Sequence, residues 1–430
     1  MSILKLRIAI LIGVHVLILM HVLYFGDDTI GSIDFQEFFH AFLKHGIINA
    51  GGILVLLAFL TTLIFGRFFC GWACHFGAIQ ELCWWLLNKL NIKPKTVDSK
   101  LVTILPIIIL LNFYIVPNLL YAFDHPWELS IAIESPEIWA FLPGWIIGTL
   151  TFLVDGFLIV YFLGRKGFCR FLCPWGAFLK LPNSLAMFKV RKTGNCTGCH
   201  ECTKQCPIGI DVSYEINTYQ KVTNTNCTSC LMCTSGCPEN ALSYQFINPL
   251  NEEVKLSHFL KRDQFSHIYI RDIFTSIRSK DFFLLGLTLL AGFSIDGLYG
   301  MGHFLAFGLA IIAGYFIINK NDNKYKYLWM KPLLNTLIIF IFLWHSVIKV
   351  SIWQGLTQFE TNNYTSSISH LERAILLYPK SIGRYHLLLG QMYLLEGNKW
   401  SALHHAKIAK ELNPNHEGPL QLLQRINSSP

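Results

Sequence analysis

Two cysteine runs carry the chemistry most specific to this chain. Cys196, Cys199, Cys202 and Cys206 precede Pro207, and Cys227, Cys230, Cys233 and Cys237 precede Pro238, so C-x2-C-x2-C-x3-C-P occurs twice. A four-iron cubane needs four thiolates around one small volume. A short loop can wrap three of them, while the fourth of each run diverges and ligates the neighbouring cluster. The spacing therefore assigns Cys196, Cys199, Cys202 and Cys237 to one [4Fe-4S] cluster, and Cys227, Cys230, Cys233 and Cys206 to a second. C-x-x-C pairs also make zinc sites, but a doubled eight-cysteine pattern with both prolines argues for iron–sulfur. Cys196-Thr-Gly-Cys199-His200 also spells a c-type haem attachment motif. Its cysteines are already used, and its loop is expected to be cytoplasmic.

Four further cysteines form two C-x-x-x-C pairs, Cys70/Cys74 and Cys169/Cys173, each within a Gly-Arg…Cys-x-x-x-Cys-x-[Phe/Trp]-Gly-Ala stretch and 99 residues apart. The recurrence reads as an internal duplication in parallel orientation. Residues i and i+4 share a helical face, so each pair is expected to present two thiols together, and the two pairs to converge at the membrane boundary. Three readings stay open: ligands of a third iron–sulfur cluster or metal, redox-active dithiols, or packing thiols. Cys83, beside Trp84 and Trp85, reads as a packing thiol.

The elements that position these residues are membrane helices. The 430 residues are 53% hydrophobic and 14% charged, with a mean hydropathy of +0.42, whereas about a quarter of a soluble domain is charged. Stretches of about 20 apolar residues span a bilayer. Seven are expected: Ile3–Phe25 (retained, without a cleavage site), Ile47–Phe65, Leu101–Phe123, Phe141–Leu163, Phe282–Tyr299, Met301–Ile318 and Leu333–Trp353. Segments 26–46 and 124–140 are acidic, whereas 66–100, 164–280 and 319–331 collect Lys and Arg. The positive-inside rule then puts the N-terminus and all cysteine motifs in the cytoplasm and the C-terminal segment outside. The +8 net charge accordingly reports topology, and no nucleic-acid partner is expected. Thiols at metal-ligand spacing also fit a reducing compartment.

The double run resembles the bacterial two-cluster ferredoxin domain over about residues 190–247. Residues 45–245, with a cysteine pair after each of two helix hairpins, resemble the membrane polyferredoxins typified by the quinol-dehydrogenase membrane subunit of periplasmic nitrate reductase systems (NapH). They are also similar to the C-terminal part of the nitrous-oxide reductase accessory protein NosR and to the oxidase-assembly protein CcoG. The resemblance implies electron transfer toward an extracytoplasmic reductase, or its maturation. One departure stands out: the first pair ends Cys74-His75, where the family has proline. His75 is expected either to preserve the turn or to offer a ligand nitrogen.

His15, His21, His303 and His345 lie within the spans, where ionisable residues are functional candidates; haem b or quinone binding and simple hydrogen bonding both remain open. From residue 360 the chain turns polar. Gly390, Tyr393, Ala402, Ala406, Ala409 and Pro414 resemble the tetratricopeptide signature, and Ala374 and Pro379 repeat Ala409 and Pro414 at an interval of 35. About one and a half repeats, capped by Leu420–Ile426, are expected to dock a protein.

The expected architecture is a polytopic α-helical membrane protein of the bacterial inner membrane. It has a membrane domain (1–189), an inserted α+β two-cluster ferredoxin-like domain (190–247), a linker (248–280), three further helices (281–353) and an extracytoplasmic TPR-like tail (354–430). Its expected work is electron transfer between a cytoplasmic donor or the quinone pool and a respiratory reductase of the nitrate or nitrous-oxide type. The alternative is reduction of a metal such as copper for assembly of a respiratory metalloenzyme.

Overall fold

The apolar stretches are mainly helical where they are described. The computed structural model describes residues 3–25, 38–92, 99, 101–132, 149–246, 279–299, 302–318, 331–378, 383–414 and 416–428, in two units, Met1–Leu285 and Gly286–Pro430. The start of the fourth expected span, nearly all of the linker, the 319–330 loop and Pro379 lie outside the described residues.

In the first unit, α1 is Ile3–Phe25, α2 Ala50–Phe65, α3 Phe68–Trp72 and α4 His75–Lys89. Asn49 starts α2 by accepting the Gly52 amide at 2.9 Å, satisfying a donor that the first turn leaves without an intrahelical partner. The expected span thus loses Ile47 and Ile48, which form strand β1, paired in parallel with β2 (Ser130–Ile131). Helix α5 (Leu101–Asp124) and helix α6 (Thr149–Leu163) follow. Each contains a wide π-helical stretch, Leu110–Ile115 and Phe152–Leu158. Short helices α7 (Gly167–Phe171), α8 (Pro174–Phe178) and α9 (Lys180–Ser184) repeat the α3–α4 break. By length and apolarity Leu101–Asp124 can cross a bilayer, and α2 with α3–α4 would make one span bent by 96°.

The segment between them is closed by an antiparallel pair, β3 (Phe188–Lys192) and β4 (Leu242–Phe246), with Val190 opposite Tyr244. Alternation puts Val190 inward. It packs with Ile208, Ile210, Val212, Ile216, Val222 and Leu242 around short helices α10 (Glu201–Lys204), α11 (Val212–Tyr219) and α12 (Met232–Ser235). The ferredoxin-like α+β character follows from this strand pair and these helices.

The second unit contains most of α13 (Ser279–Ile295), α14 (His303–Ile318) and the 30-residue α15 (Lys331–Glu360). Within α15, Pro332–Glu360 is long and apolar enough to span. Because α15 runs to Glu360, the tail begins later than residue 354. Helices α16 (Tyr364–Leu377) and α18 (Lys399–Leu412) are both 14 residues long and start 35 residues apart. Each is N-capped by an asparagine, Asn363 on the Ser366 amide and Asn398 on the Ser401 amide. Helix α17 (Gly383–Leu395) packs between them, and α19 (Glu417–Ser428) closes the end. Ala402, Ala406 and Ala409 are fully buried. A Cβ at Gly390 would approach Leu422 to 2.8 Å and the Ala402 carbonyl to 3.2 Å, so the small residues mark close helix contacts.

His386 and His405 sit between α17 and α18 with their Nδ1 atoms 2.9 Å apart. Burial, then the neighbouring His405 and His404, lowers His386 to about 4, and burial lowers His405. Both are therefore neutral when folded. Unfolded histidines titrate near 6.5, so the unfolded tail binds more protons below that pH. The contribution is complete above about pH 6.5 and is lost as pH falls toward 4. Limited proteolysis of the 383–412 region is expected to be slow at pH 7 and several-fold faster at pH 5, an acceleration that His386→Phe should reduce.

Candidate functional site

The two runs fold as copies 31 residues apart. Each has left-handed backbone at the same three offsets: Gly198, His200 and Gly209 in the first (φ 73°, 59° and 76°), Ser229, Leu231 and Asn240 in the second (φ 46°, 59° and 48°). Such turns point successive amides into an anion-binding concavity. The fourth cysteines show this directly: Cys206 Sγ accepts the Ile210 amide at 3.4 Å and Cys237 Sγ the Ala241 amide at 3.3 Å. Left-handed backbone is unfavourable for a branched side chain. Leu231→Gly is expected to change stability by less than about 1 kcal/mol, whereas the β-branched Leu231→Val should destabilise by more than that. Denaturant titration of iron release reads the difference.

One solvent-connected pocket is lined by Cys196, Cys199, Cys202 and Cys237. Three of these cysteines come from the first run and Cys237 from the second. Cys227, Cys230, Cys233 and Cys206 are the second expected group, and Cys206, Cys227 and Cys233 each lie within electrostatic reach of Cys230. Cys202 and Cys233 are equally buried, but Cys199 is exposed whereas its counterpart Cys230 is half-buried, so the first group is the more open to solvent. Burial, then Cys230, pushes the Cys227 thiol up to about 12; a metal must therefore displace its proton to bind.

The second group rests on the membrane cysteines. Trp72 Nε1 donates to the Ser229 carbonyl at 3.0 Å. Asn183 Nδ2 donates to the carbonyls of Thr225 (2.9 Å) and Cys227 (3.3 Å), while its Oδ1 accepts the Arg67 amide at 3.1 Å. A Cβ on Gly71 would collide with the Thr228 carbonyl oxygen and lie 3.2 Å from the Cys230 amide nitrogen. The backbone between Cys70 and Cys74 is thus in contact with the loop that carries Cys227 and Cys230. Cys169 packs on the core of the ferredoxin segment.

The expectation that each membrane pair shares one helical face is corrected. Cys70 lies in α3 and Cys169 in α7, but Cys74 and Cys173 are extended N-caps of the next helix (φ −72°, ψ 120° and φ −70°, ψ 108°). Pro174 disfavours helical geometry at the residue before it. His75 stands in the same position after Cys74, and the backbone is the same, so His75 preserves the turn. The break lets all four thiols converge across the repeats: Cys74 is coupled to Cys70 and Cys169, and Cys173 to all three others. Among the described residues no three His, Cys, Asp or Glu side chains close to single-ion dimensions.

Charge surrounds this ring. Arg67 and Lys166 are each 1% exposed and are the N-caps of α3 and α7. Arg67 Nη1 reaches the Thr225 carbonyl at 3.4 Å, and its Nη2 lies 3.9 Å from Cys70 Sγ. Among the described residues no carboxylate pairs with Arg67. Glu81 takes Arg7, Lys166 (3.1 Å) and Arg165 (3.5 Å). Gln80 receives the Phe168 amide at 3.2 Å and lies 3.9 Å from Cys169 Sγ. Sequence reasoning missed Gln80, Glu81, Lys166 and Asn183. Its Gly-Arg alignment matched Arg165 with Arg67, whereas the structure matches Lys166, because the second copy carries one extra residue before its cysteine. A charged residue inside an otherwise apolar helix, such as Glu81, was the available signal.

The span histidines meet protein partners. His15 and His345 Nδ1 lie 2.8 and 2.7 Å from the carbonyls of Leu11 and Ile341, His345 Nε2 meets Tyr299 at 2.9 Å, and His303 meets Asp296 at 2.6 Å. The side chain of His21 lies outside the described residues. Cys83 is fully buried among Leu87, Val160 and their neighbours, a packing thiol as expected.

Comparison with known proteins agrees with this geometry. A 4Fe-4S binding domain matches residues 50–93 and 144–193, the two cysteine-pair halves, and a 4Fe-4S dicluster domain matches 195–242. Protein MJ0749 of Methanocaldococcus jannaschii is 31% identical over 186 residues, covering 41% of this chain and 67% of its own. The methylamine utilization ferredoxin-type protein MauN of Methylobacillus flagellatus is 29% identical over 158 residues, 36% of this chain and 52% of MauN. Regulatory protein NosR of Pseudomonas aeruginosa is 32% identical over 158 residues, 34% of this chain and 21% of NosR. The chain thus spans about half of MauN and a fifth of NosR. No solved structure matches. With both cysteine-pair halves and the double run matched, the chain belongs to the polyferredoxin-type family of membrane-associated 4Fe-4S electron-transport proteins.

Proposed function

We propose that this protein conducts single electrons between its solvent-facing ferredoxin segment and the membrane through three iron–sulfur sites in series. Cys196, Cys199, Cys202 and Cys237 hold the outer cluster, Cys227, Cys230, Cys233 and Cys206 the middle one, and Cys70, Cys74, Cys169 and Cys173 the membrane one. When bound, each cluster supplies a one-electron carrier whose potential depends on burial and hydrogen bonding. Gly71, the Trp72 indole and Asn183 keep the middle and membrane sites in contact. Arg67 is the observation that carries the membrane site. A buried cation with no carboxylate partner costs several kcal/mol, and the thiolate ring it faces offsets that only when anionic.

The direction and the terminal partners are part of the proposal. The chain is a multi-pass bacterial inner-membrane protein, with the ferredoxin segment cytoplasmic and the tail extracytoplasmic. Electrons are exchanged with a soluble donor or the quinone pool and delivered to a respiratory reductase of the nitrate or nitrous-oxide type. The 35-residue helix repeat of the tail supports a TPR-like docking surface for that partner. A deletion strain complemented with wild type or with Cys70→Ser/Cys169→Ser tests the reading. Loss of quinol-linked reductase activity in the variant, not restored by copper, is expected. Restoration by added copper would favour metal reduction for cofactor assembly instead.

A further inference from the structure

We infer that Arg67 and Lys166 are positioning residues that set the reduction potential of the membrane cysteine site, each repeat supplying the cation that sits over the other repeat's turn. The inference rests on the reading that Cys70, Cys74, Cys169 and Cys173 hold a four-iron cluster.

The exchange is explicit in the turn glycines. Gly77 follows Cys74 by three residues, and a Cβ built there lies 2.8 Å from Lys166 Nζ and 3.7 Å from Cys74 Cβ. Gly176 follows Cys173 by three residues, and a Cβ built there lies 2.8 Å from Arg67 Nη2 and 3.6 Å from Cys173 Cβ. Arg67 begins the first repeat's cysteine helix but covers the second repeat's turn; Lys166 does the reverse. Lys166 Nζ is held by the Gly77 carbonyl at 3.1 Å and by Glu81. Arg67 is coupled to Cys70, Cys173 and Cys169, and Lys166 to Cys169 and Cys74. Each cation therefore lies over one of the two turns that carry the thiols.

Reducing a cluster by one electron adds one negative charge to the ring, which nearby positive charge favours. Because both cations are 1% exposed, a unit charge several ångströms away changes the reduction equilibrium on the order of a hundredfold. At 59 mV per decade for one electron, that is about 120 mV. Removing either cation must lower the potential, and removing the Glu81 charge must raise it. A merely structural role for these side chains predicts no such opposition of sign.

The test is a potentiometric titration, followed by EPR, of anaerobically purified full-length protein with iron counted in each sample. Arg67→Gln and Lys166→Gln are expected to move the membrane signal down by about 100 mV, Glu81→Gln to move it up, and Arg67→Lys to leave it near wild type. Loss of about four irons in Arg67→Gln but not in Arg67→Lys would also support a requirement for charge. Unchanged potentials with full iron would overturn the inference, as would equal losses in Arg67→Lys and Arg67→Gln. About eight irons already in wild type would instead sink the underlying cluster assignment, and the iron count separates the two failures.

Discussion

Gly71→Val is expected to disconnect the ferredoxin segment from the membrane site while leaving both loaded with iron. The added side chain collides with the Thr228 carbonyl and crowds the Cys230 backbone. The loop bearing two ligands of the middle site must therefore move away from α3. Overpacking of this kind costs about 1–3 kcal/mol, less than full unfolding requires. The consequence is kinetic, because electron transfer between two carriers slows exponentially as the loop that carries one of them moves away from the other. Stopped-flow reduction of the ferredoxin signals, followed by the appearance of the membrane signal, measures the transfer. Wild-type transfer rates in Gly71→Val would show that the Gly71 contact is not the route.

Cys237→Ala should remove the outer cluster, although Cys237 lies in the second run. It shares its cavity with Cys196, Cys199 and Cys202, so the variant is expected to lose about four irons and keep the cluster that Cys227, Cys230, Cys233 and Cys206 hold. Cys206→Ala should do the reverse. Because the outer site faces solvent at Cys199, Cys237→Ala should also stop reduction by a soluble donor. Mössbauer or EPR counting of the residual cluster decides the matter: loss of the middle signal in Cys237→Ala would mean uncrossed ligation.

The contrast between what could and could not be read in the sequence has a physical origin. The two ferredoxin runs were legible because a cubane imposes fixed short spacings on any chain that wraps it, and a 4Fe-4S dicluster domain matches them. The strand pair that closes the segment joins Phe188–Lys192 to Leu242–Phe246. The 99-residue duplication was legible too, yet its geometry was not. An i, i+4 spacing predicts one helical face, whereas the chain breaks between the cysteines of each pair and turns the second into a cap. The break does not require proline, since His75 adopts it after Cys74. Lys166 and Glu81 were hidden because their partners lie 74 to 89 residues away, and no local period encodes such a contact. In the tail, the alanines and Gly390 were read correctly as helix contacts because small residues have few other reasons to recur at those positions.

Iron and acid-labile sulfide per chain, counted on anaerobically purified wild type and Cys70→Ser/Cys169→Ser, test the central claim most directly. Three sites predict about twelve irons in wild type and about eight in the double variant, with one reduced-state EPR signal lost. About eight irons in both proteins, with identical spectra, would contradict a cluster at the membrane cysteines and end the electron path at the ferredoxin segment.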